Sequence, residues 1–376
     1  MQICRQLALL TAKYLLTPEE AYTIALEQWD KPMCLIIAKL RAGVSTPTVM
    51  SHVKGKRNAG TKLQVCVSTA TALSYAAEKG NTDMIRSLGT NDLVSCRDWF
   101  QPCEIAAARG DIAALRTLKH FGLIHERRIS EVAAYRGQLA VLKWARSHRM
   151  EWSSNTCAAA AEGGHLEELQ WLRSRGCPWN RDTCRSAAEE GHLAVLQWAR
   201  ANGCSWDSYV CSWAARGGHL AVLEWARANG CPWNEDTCRE AAAFGRLDVL
   251  QWARANGCPW DETTSFNAAR NGHLAVLQWI RANGGPWDTR TCGWAAHGGQ
   301  LAVLQWLRAN GCPWDEMTCA GAAFGHLGVL KWARANGCPW NWQTCEQAWT
   351  EGRKDVLEWT AANGCPCGGR FHDPKK

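Results

Sequence analysis

Apolar and polar positions alternate through this chain with a helical period, and one stretch shows the pattern in full. In Gly191 to Trp206, GHLAVLQWARANGCSW, the residues Leu193, Leu196 and Ala199 fall at helical spacing. Val195 and Trp198 widen the same apolar face. The stretch then repeats. A Trp in the setting of Trp198 stands at 144, 171, 225, 252, 279, 306, 332 and 359, in steps of 27 residues except the 26 between Trp306 and Trp332. A second series runs in phase with it: Trp152, Trp179, Trp206, Trp233, Trp260, Trp287, Trp314 and Trp340. Self-similarity at such a period marks a repeat architecture, and every later inference has to respect it.

Each unit predicts two helices and no strand. Thr183 reads as the N-cap of a short first helix over Cys184 to Glu190, which Gly191 stops. His192 to Asn202 reads as the second helix, closed by Gly203, a residue that takes the left-handed C-cap conformation without steric cost. Pro178, Pro232, Pro259, Pro286, Pro313 and Pro339 follow the closing position and keep that helix from continuing. Helices this short are not stable alone in water, so each unit must bury its faces against its neighbours. The pair Ala187–Ala188 and its counterparts 214–215, 241–242 and 295–296 predict a first helix that approaches its neighbour closely, with the large Trp of the second helix filling the space beside it.

The unit resembles the ankyrin repeat. That family's T-P-L-H-x-A-A-x-x-G-H signature maps onto Thr183, Ala187, Ala188, Gly191 and His192, and the step from Gly191 to Gly203 matches its second helix and terminal Gly. The resemblance covers about residues 103 to 366, and more faintly 20 to 102. It departs from the family's 33-residue period. Cys184 stands where the family has Pro, the first helix is one residue shorter, and the segment from Gly203 to Val210 is five shorter. The resemblance therefore implies an all-α helix-pair solenoid, an ankyrin-like superhelix with its β-hairpins reduced or absent. It also implies a concave binding face formed by the inter-repeat loops and first helices.

Charge changes this picture little. The chain of 376 residues has a net charge of +7, but residues 1–130 carry 17 basic against 11 acidic side chains, and residues 131–366 carry 22 against 23. The regular array is neutral. Of the twenty cysteines fourteen follow the repeat, at T-C (Cys184 and its equivalents) and at G-C (Cys204 and its equivalents). Cysteines so placed behave as small buried hydrophobes. Ser265 and Gly285 replace them in single copies, which on the sequence leaves a partner alone in each case and speaks against obligatory pairing. Met1 to Leu16 is interrupted by Arg5 and Lys13 and does not read as a signal peptide, and no apolar run has the length of a membrane span. The expectation is a cytoplasmic, reducing environment with free thiols, the nucleus remaining open.

Along the chain, residues 1–102 read as degenerate helical units interrupted by an irregular basic loop at 44–68, which holds Lys54, Lys56, Arg57 and Lys62. Within them LEQWDKPMCLIIAKLRAG could be one worn unit ending at Gly43, and another pair surrounds Gly80. Residues 103–366 form the array, and 367–376 a polar tail.

Two regular series invite chemistry and do not support it. His165, His192, His219, His273 and His326 lie one repeat apart, roughly 10 Å, whereas metal ligands sit about 2 Å from a shared ion. At the head of the second helix they read as groups that cap the loop or bond the backbone. The Arg series (Arg146, Arg173, Arg200, Arg227, Arg254, Arg281, Arg308, Arg334) looks like a phosphate rail, but in a neutral array it reads as a solvated face interleaved with acids. Cys365-Pro-Cys367 with His372 matches no familiar zinc module. No phosphate-cradling loop, nucleophile elbow or paired acid and base stands outside the repeat register. No enzyme, metal or cofactor is expected.

The informative positions are those where units differ. The loop after P-W and the outer positions of the first helix are not fixed by packing, and Trp and Arg at such positions are typical interface anchors. Arg181, Tyr209, Trp213, Arg216, Phe266, Arg270, Arg290, Trp294 and Trp342 are the expected partner contacts. The expectation is a monomeric, non-catalytic scaffold for an unidentified protein partner, with no membrane contact. Residues 1–70 serving as a recruiting module for ubiquitin ligation is one alternative. A nucleic-acid-binding helical repeat is another, disfavoured by the neutral array.

Overall fold

In a computed structural model the structure describes residues 73–89 and 100–366. The irregular basic loop at 44–68, the worn unit before it and the polar tail at 367–376 lie outside the described residues, as do Cys367 and His372. Among the described residues there are 22 helices and no strand. The fold is an all-helical tandem array of helix pairs. Where an ankyrin hairpin would stand, the chain runs through a short loop, as from Asn202 to Asp207 between the helices Leu193–Ala201 and Ser208–Gly217.

Packing divides the chain into two compact units, residues 1–156 and 157–376. In the first, Thr82–Gly89 and a helix over 73–79 form one pair around Gly80. Phe100–Arg109 with Ile112–His120, and Glu126–Tyr135 with Leu139–Ser147, form two more. The core here is Leu115, Leu118, Ile129, Val141 and Leu142. In the second, after Leu166–Ser174, regular pairs run from Arg181–Glu189 with Leu193–Ala201 to Trp342–Thr350 with Lys354–Ala362.

The first helix starts earlier than its Thr suggested. It spans Arg181–Glu189, and Asn180 caps it by accepting the Asp182 N–H at 3.0 Å. Asp207, Asp261, Asp288, Asp315 and Asn341 do the same in other units. Thr183 is not the cap. It sits one turn in, fully buried. In one copy the reason for a Thr is visible: Thr291 accepts the Asp288 N–H at 3.3 Å while Asp288 caps the helix, a reciprocal capping box.

Within residues 157–376 the closest inter-unit contacts are between successive first helices, Arg181–Glu189 on Ser208–Gly217 and so on through the unit. Small residues permit this. Ala187, Ala188 and their equivalents are fully buried, and a Cβ added at Gly298 would lie 1.9 Å from the Arg270 carbonyl oxygen of the preceding first helix. The second helices contribute Val195 and Leu196, and their equivalents in each unit, to the core.

The second-helix Trp does not pack as the sequence suggested. Trp198 is only half-buried and meets, edge to face at 5.7 Å, the ring of Trp179 from the loop that closes the preceding unit. The same pair forms at Trp206–Trp225, Trp233–Trp252, Trp260–Trp279, Trp287–Trp306, Trp314–Trp332 and Trp340–Trp359. Aromatic pairs favour this geometry because the positive edge of one ring faces the negative face of the other.

Two glycines per unit differ in what they tolerate. Gly203 has φ of 83° and open space around its Cα, whereas Gly191 has φ of 79° and a Cβ there would lie 2.5 Å from His219 Nδ1 of the next unit. Gly203→Ala is expected to cost about 1–2 kcal/mol, the penalty of left-handed backbone alone. Gly191→Ala is expected to cost about 1 kcal/mol or more beyond that, because the imidazole must also move. Urea denaturation of the two variants side by side checks the order; equal losses would remove the steric role of His219.

Candidate interaction face on the first helices

Both regular series turn out to hold the array together. Each Arg stacks on the Trp that follows it, at 4.2 Å for Arg173 over Trp179, 4.1 Å for Arg200 over Trp206 and 4.1 Å for Arg227 over Trp233. Arg173, Arg200, Arg227, Arg254, Arg308 and Arg334 also donate to the carbonyl of the closing Cys four residues on. For these six the expected solvated face is therefore a half-buried stack with engaged guanidinium groups, while Arg146 and Arg281 stay exposed. Arg suits this because its planar cation can lie on a ring and donate from its edge at once.

The His series bonds the backbone and does not cap. His192 Nε2 lies 3.0 Å from the Glu162 carbonyl oxygen of the preceding unit, and His273 Nε2 lies 3.0 Å from that of Ala243. Neither makes a side-chain cap bond to its own helix. Other donors fill the same position elsewhere: Gln138 to Ala108, Arg246 to Arg216 and Arg353 to Phe324. Among the described residues no cluster of three or more His, Cys, Asp or Glu could hold a metal ion.

The nine expected contact residues all lie on first helices, and the structure brings several of them together. Phe266 and Trp294, from successive first helices, stack with centroids 5.9 Å apart and planes at 23°. Arg270 lies over Trp294 at 4.9 Å and Arg290 over Phe266 at 5.5 Å. Arg290 also bridges Glu262 at 2.8 Å and Asp288 at 2.7 Å. A second group forms around Arg216, which lies 4.7 Å from the Phe244 ring, 5.8 Å from that of Trp213 and 3.6 Å from Glu189. At a third, Arg181 reaches Asp207 at 3.4 Å, and the Tyr209 ring lies 4.6 Å from the Arg185 guanidinium. Trp342 stands apart from these groups on its own first helix, half exposed to solvent.

Sequence reasoning passed over Phe244 and Phe324. Both stand just before the Gly that ends the first helix, where other units carry Glu190 or Asn271, and that departure was the available signal. Phe324 meets His297 at 4.2 Å, and His297 meets Trp294 at 5.1 Å, so the aromatic run continues across three units.

No family model and no curated protein matches the chain. Among solved structures, the crystal structure of the human ASB11 ankyrin repeat domain is similar at 18% identity and a TM-score of 0.37, covering 49% of this chain and 98% of that one. Among the described residues no helix is long and apolar enough to cross a membrane.

Two measurements test this assignment of roles. Arg227→Met removes both the ring contact and the bond to the Cys231 carbonyl, and is expected to destabilise by about 1–3 kcal/mol with little dependence on salt. A salt-sensitive loss would return the series to a solvated role. For His297, burial and then the nearby Arg270 charge hold the ring's pKa below the ordinary value. The folded state thus resists protonation, so this contribution is complete above about pH 6.5 and is lost as pH falls through the lower folded value. His297→Gln is accordingly expected to gain on the wild type in thermal midpoint between neutral and mildly acidic pH; a constant difference would exclude it.

Proposed function

We propose that the chain is a non-catalytic protein-interaction scaffold, with residues 103–366 as the binding array and the first-helix face as the contact surface. One observation carries this reading. The large hydrophobics exposed among the described residues are Tyr135, Tyr209, Phe244, Met317, Trp342 and Trp349, and every one lies on a first helix or at its C-cap. The repeat buries its shared residues elsewhere and leaves its variable aromatics on one side. Side chains that pack neither the core nor the seam, and that concentrate on one face, mark a surface selected for contact. Within residues 157–366 the closer packing of first helices supports placing that face on the concave side.

Arg181, Tyr209, Trp213, Arg216, Phe266, Arg270, Arg290, Trp294 and Trp342 remain the proposed contacts, now with Phe244 and Met317 beside them. Their surroundings sort them by task. Tyr209, Met317 and Trp342 present free area, while Phe266 and Trp294 hold Arg270 and Arg290 in fixed positions. The engaged guanidinium groups of the second-helix series weigh against nucleic acid as the ligand, since phosphate binding draws on free basic side chains.

The test uses Tyr209→Ala, Met317→Ala and Trp342→Ala combined, in a pull-down from lysate beside the wild type. Circular dichroism reports folding, and Gln197→Ala with Gln251→Ala serves as an exposed second-helix control. Capture is expected to fall by about tenfold or more in the first variant, as loss of two or three anchors would produce, with melting unchanged and the control unaffected. Equal loss in the control, or unchanged capture in both, would refute the face.

A further inference from the structure

Each regular unit in residues 157–338 but one carries two thiols that meet inside it. Cys157 Sγ on the first helix lies 4.0 Å from the carbonyl oxygen of Cys177 in the closing loop, and Cys292 and Cys319 stand likewise against Cys312 and Cys338; the side chains of Cys184 and Cys204, and of Cys238 and Cys258, interact in the same way. Cys204 Sγ also donates to the carbonyl of the N-cap residue Asn180 at 3.2 Å. Cys231 and Cys258 repeat the donation, to Asp207 and Asn234, at 3.4 Å in each case. All these thiols are buried, and none of them is in a disulfide.

This corrects the reading that Ser265 and Gly285 each leave a partner alone. The partner of a T-C cysteine is the G-C cysteine 20 residues later (19 for Cys319 and Cys338), so Ser265 and Gly285 stand opposite each other, and that unit lacks both thiols. Ile280 stands beside them, and a Cβ at 285 would lie 2.2 Å from its Cγ2. At 130 and 150, likewise, Ser and Met stand in place of both cysteines. The nearby Arg follows the pair. Arg146 and Arg281, in the two units without thiols, are exposed, whereas Arg173, Arg200, Arg227 and Arg254 are half-buried on the closing carbonyl. Of the described cysteines, Cys345 is disulfide-bonded and stays outside this set.

We propose that the paired thiols of residues 157–338 are two-coordinate sites for a soft monovalent cation of the Cu(I) class, one ion per pair. Thiolate ligands select such ions. Zinc requires four ligands, and no third His, Cys, Asp or Glu joins any pair among the described residues. A d10 monovalent ion needs only two sulfurs. Binding replaces two S–H protons with two S–metal bonds, releases both protons to solvent and moves no electron. The site changes from neutral to a charge of −1, and the Arg guanidinium on the closing carbonyl lies beside that charge.

The experiment is an anaerobic titration of the full chain with Cu(I), supplied as its acetonitrile complex against a chromophoric Cu(I) chelator. Wild type is compared with Cys238→Ser, Cys258→Ala and the two combined, with circular dichroism as the folding check. Each single substitution is expected to lose one equivalent of Cu(I), and the double substitution no more than either single, because a site needs both sulfurs. Binding is also expected to tighten as pH rises, as release of two protons requires. An unchanged count overturns the proposal, as does a double variant losing twice as much as a single one. Mass loss showing that the pairs of the folded, metal-free protein are disulfides overturns it as well.

Discussion

A nine-residue helix has no lasting existence in water, and everything in this molecule answers that constraint. Nucleation of so short a helix costs more than its few hydrogen bonds return, so order has to come from neighbours. Here the neighbours meet at the closing loop. The Gly that ends the second helix turns the chain, the Cys after it reaches back to the N-cap of its unit's first helix, and the Trp after that receives the Arg on one side and the second-helix Trp on the other. A loop of a few residues thereby touches both helices of one unit and the start of the next.

That concentration of contacts leaves the two sides of each unit with different duties. The second-helix side spends its aromatics and its basic residues on one another, and its side chains vary little from copy to copy. The first-helix side needs only small residues for its close approach, so its outer positions are free. Arg185 with Tyr209, Arg216 with Phe244, and Phe266 with Trp294 and Arg270 occupy those free positions, each in a different combination. Variation in a repeat is informative for this reason: residues held by the architecture cannot record a partner, and residues released from it can.

Much of this was legible in the primary structure. Period, helix type and the stopping glycines followed from spacing, because helical periodicity and left-handed glycine are local properties, while reduced or absent hairpins were what the resemblance to the ankyrin repeat implied. What was missed depended on partners distant in sequence. Thr183 looked like a cap because Thr often is one, but Asn180 lies nearer the true start and takes the role. The arginines looked solvated because charge alone does not show a ring beneath it, as Trp206 lies beneath Arg200. The thiols looked unpaired because the relevant spacing, from Cys184 to Cys204, joins a helix to a loop and coincides with no helical period. For the contact face, the positions were legible as departures from the repeat, while their grouping across units, with Phe244 and Phe324 included, required coordinates.

The seam between units has a property that reaches beyond stability. His192, Arg246, His273 and Arg353 all address the same acceptor, a main-chain carbonyl of the unit before. Every residue type carries that carbonyl, so the donor reads position and ignores identity. Any unit is therefore a competent successor to any other, and insertion, loss or shuffling of whole units leaves the joints intact. The outer positions can then be recombined like characters in a line of type, with the grammar of the line held by the backbone.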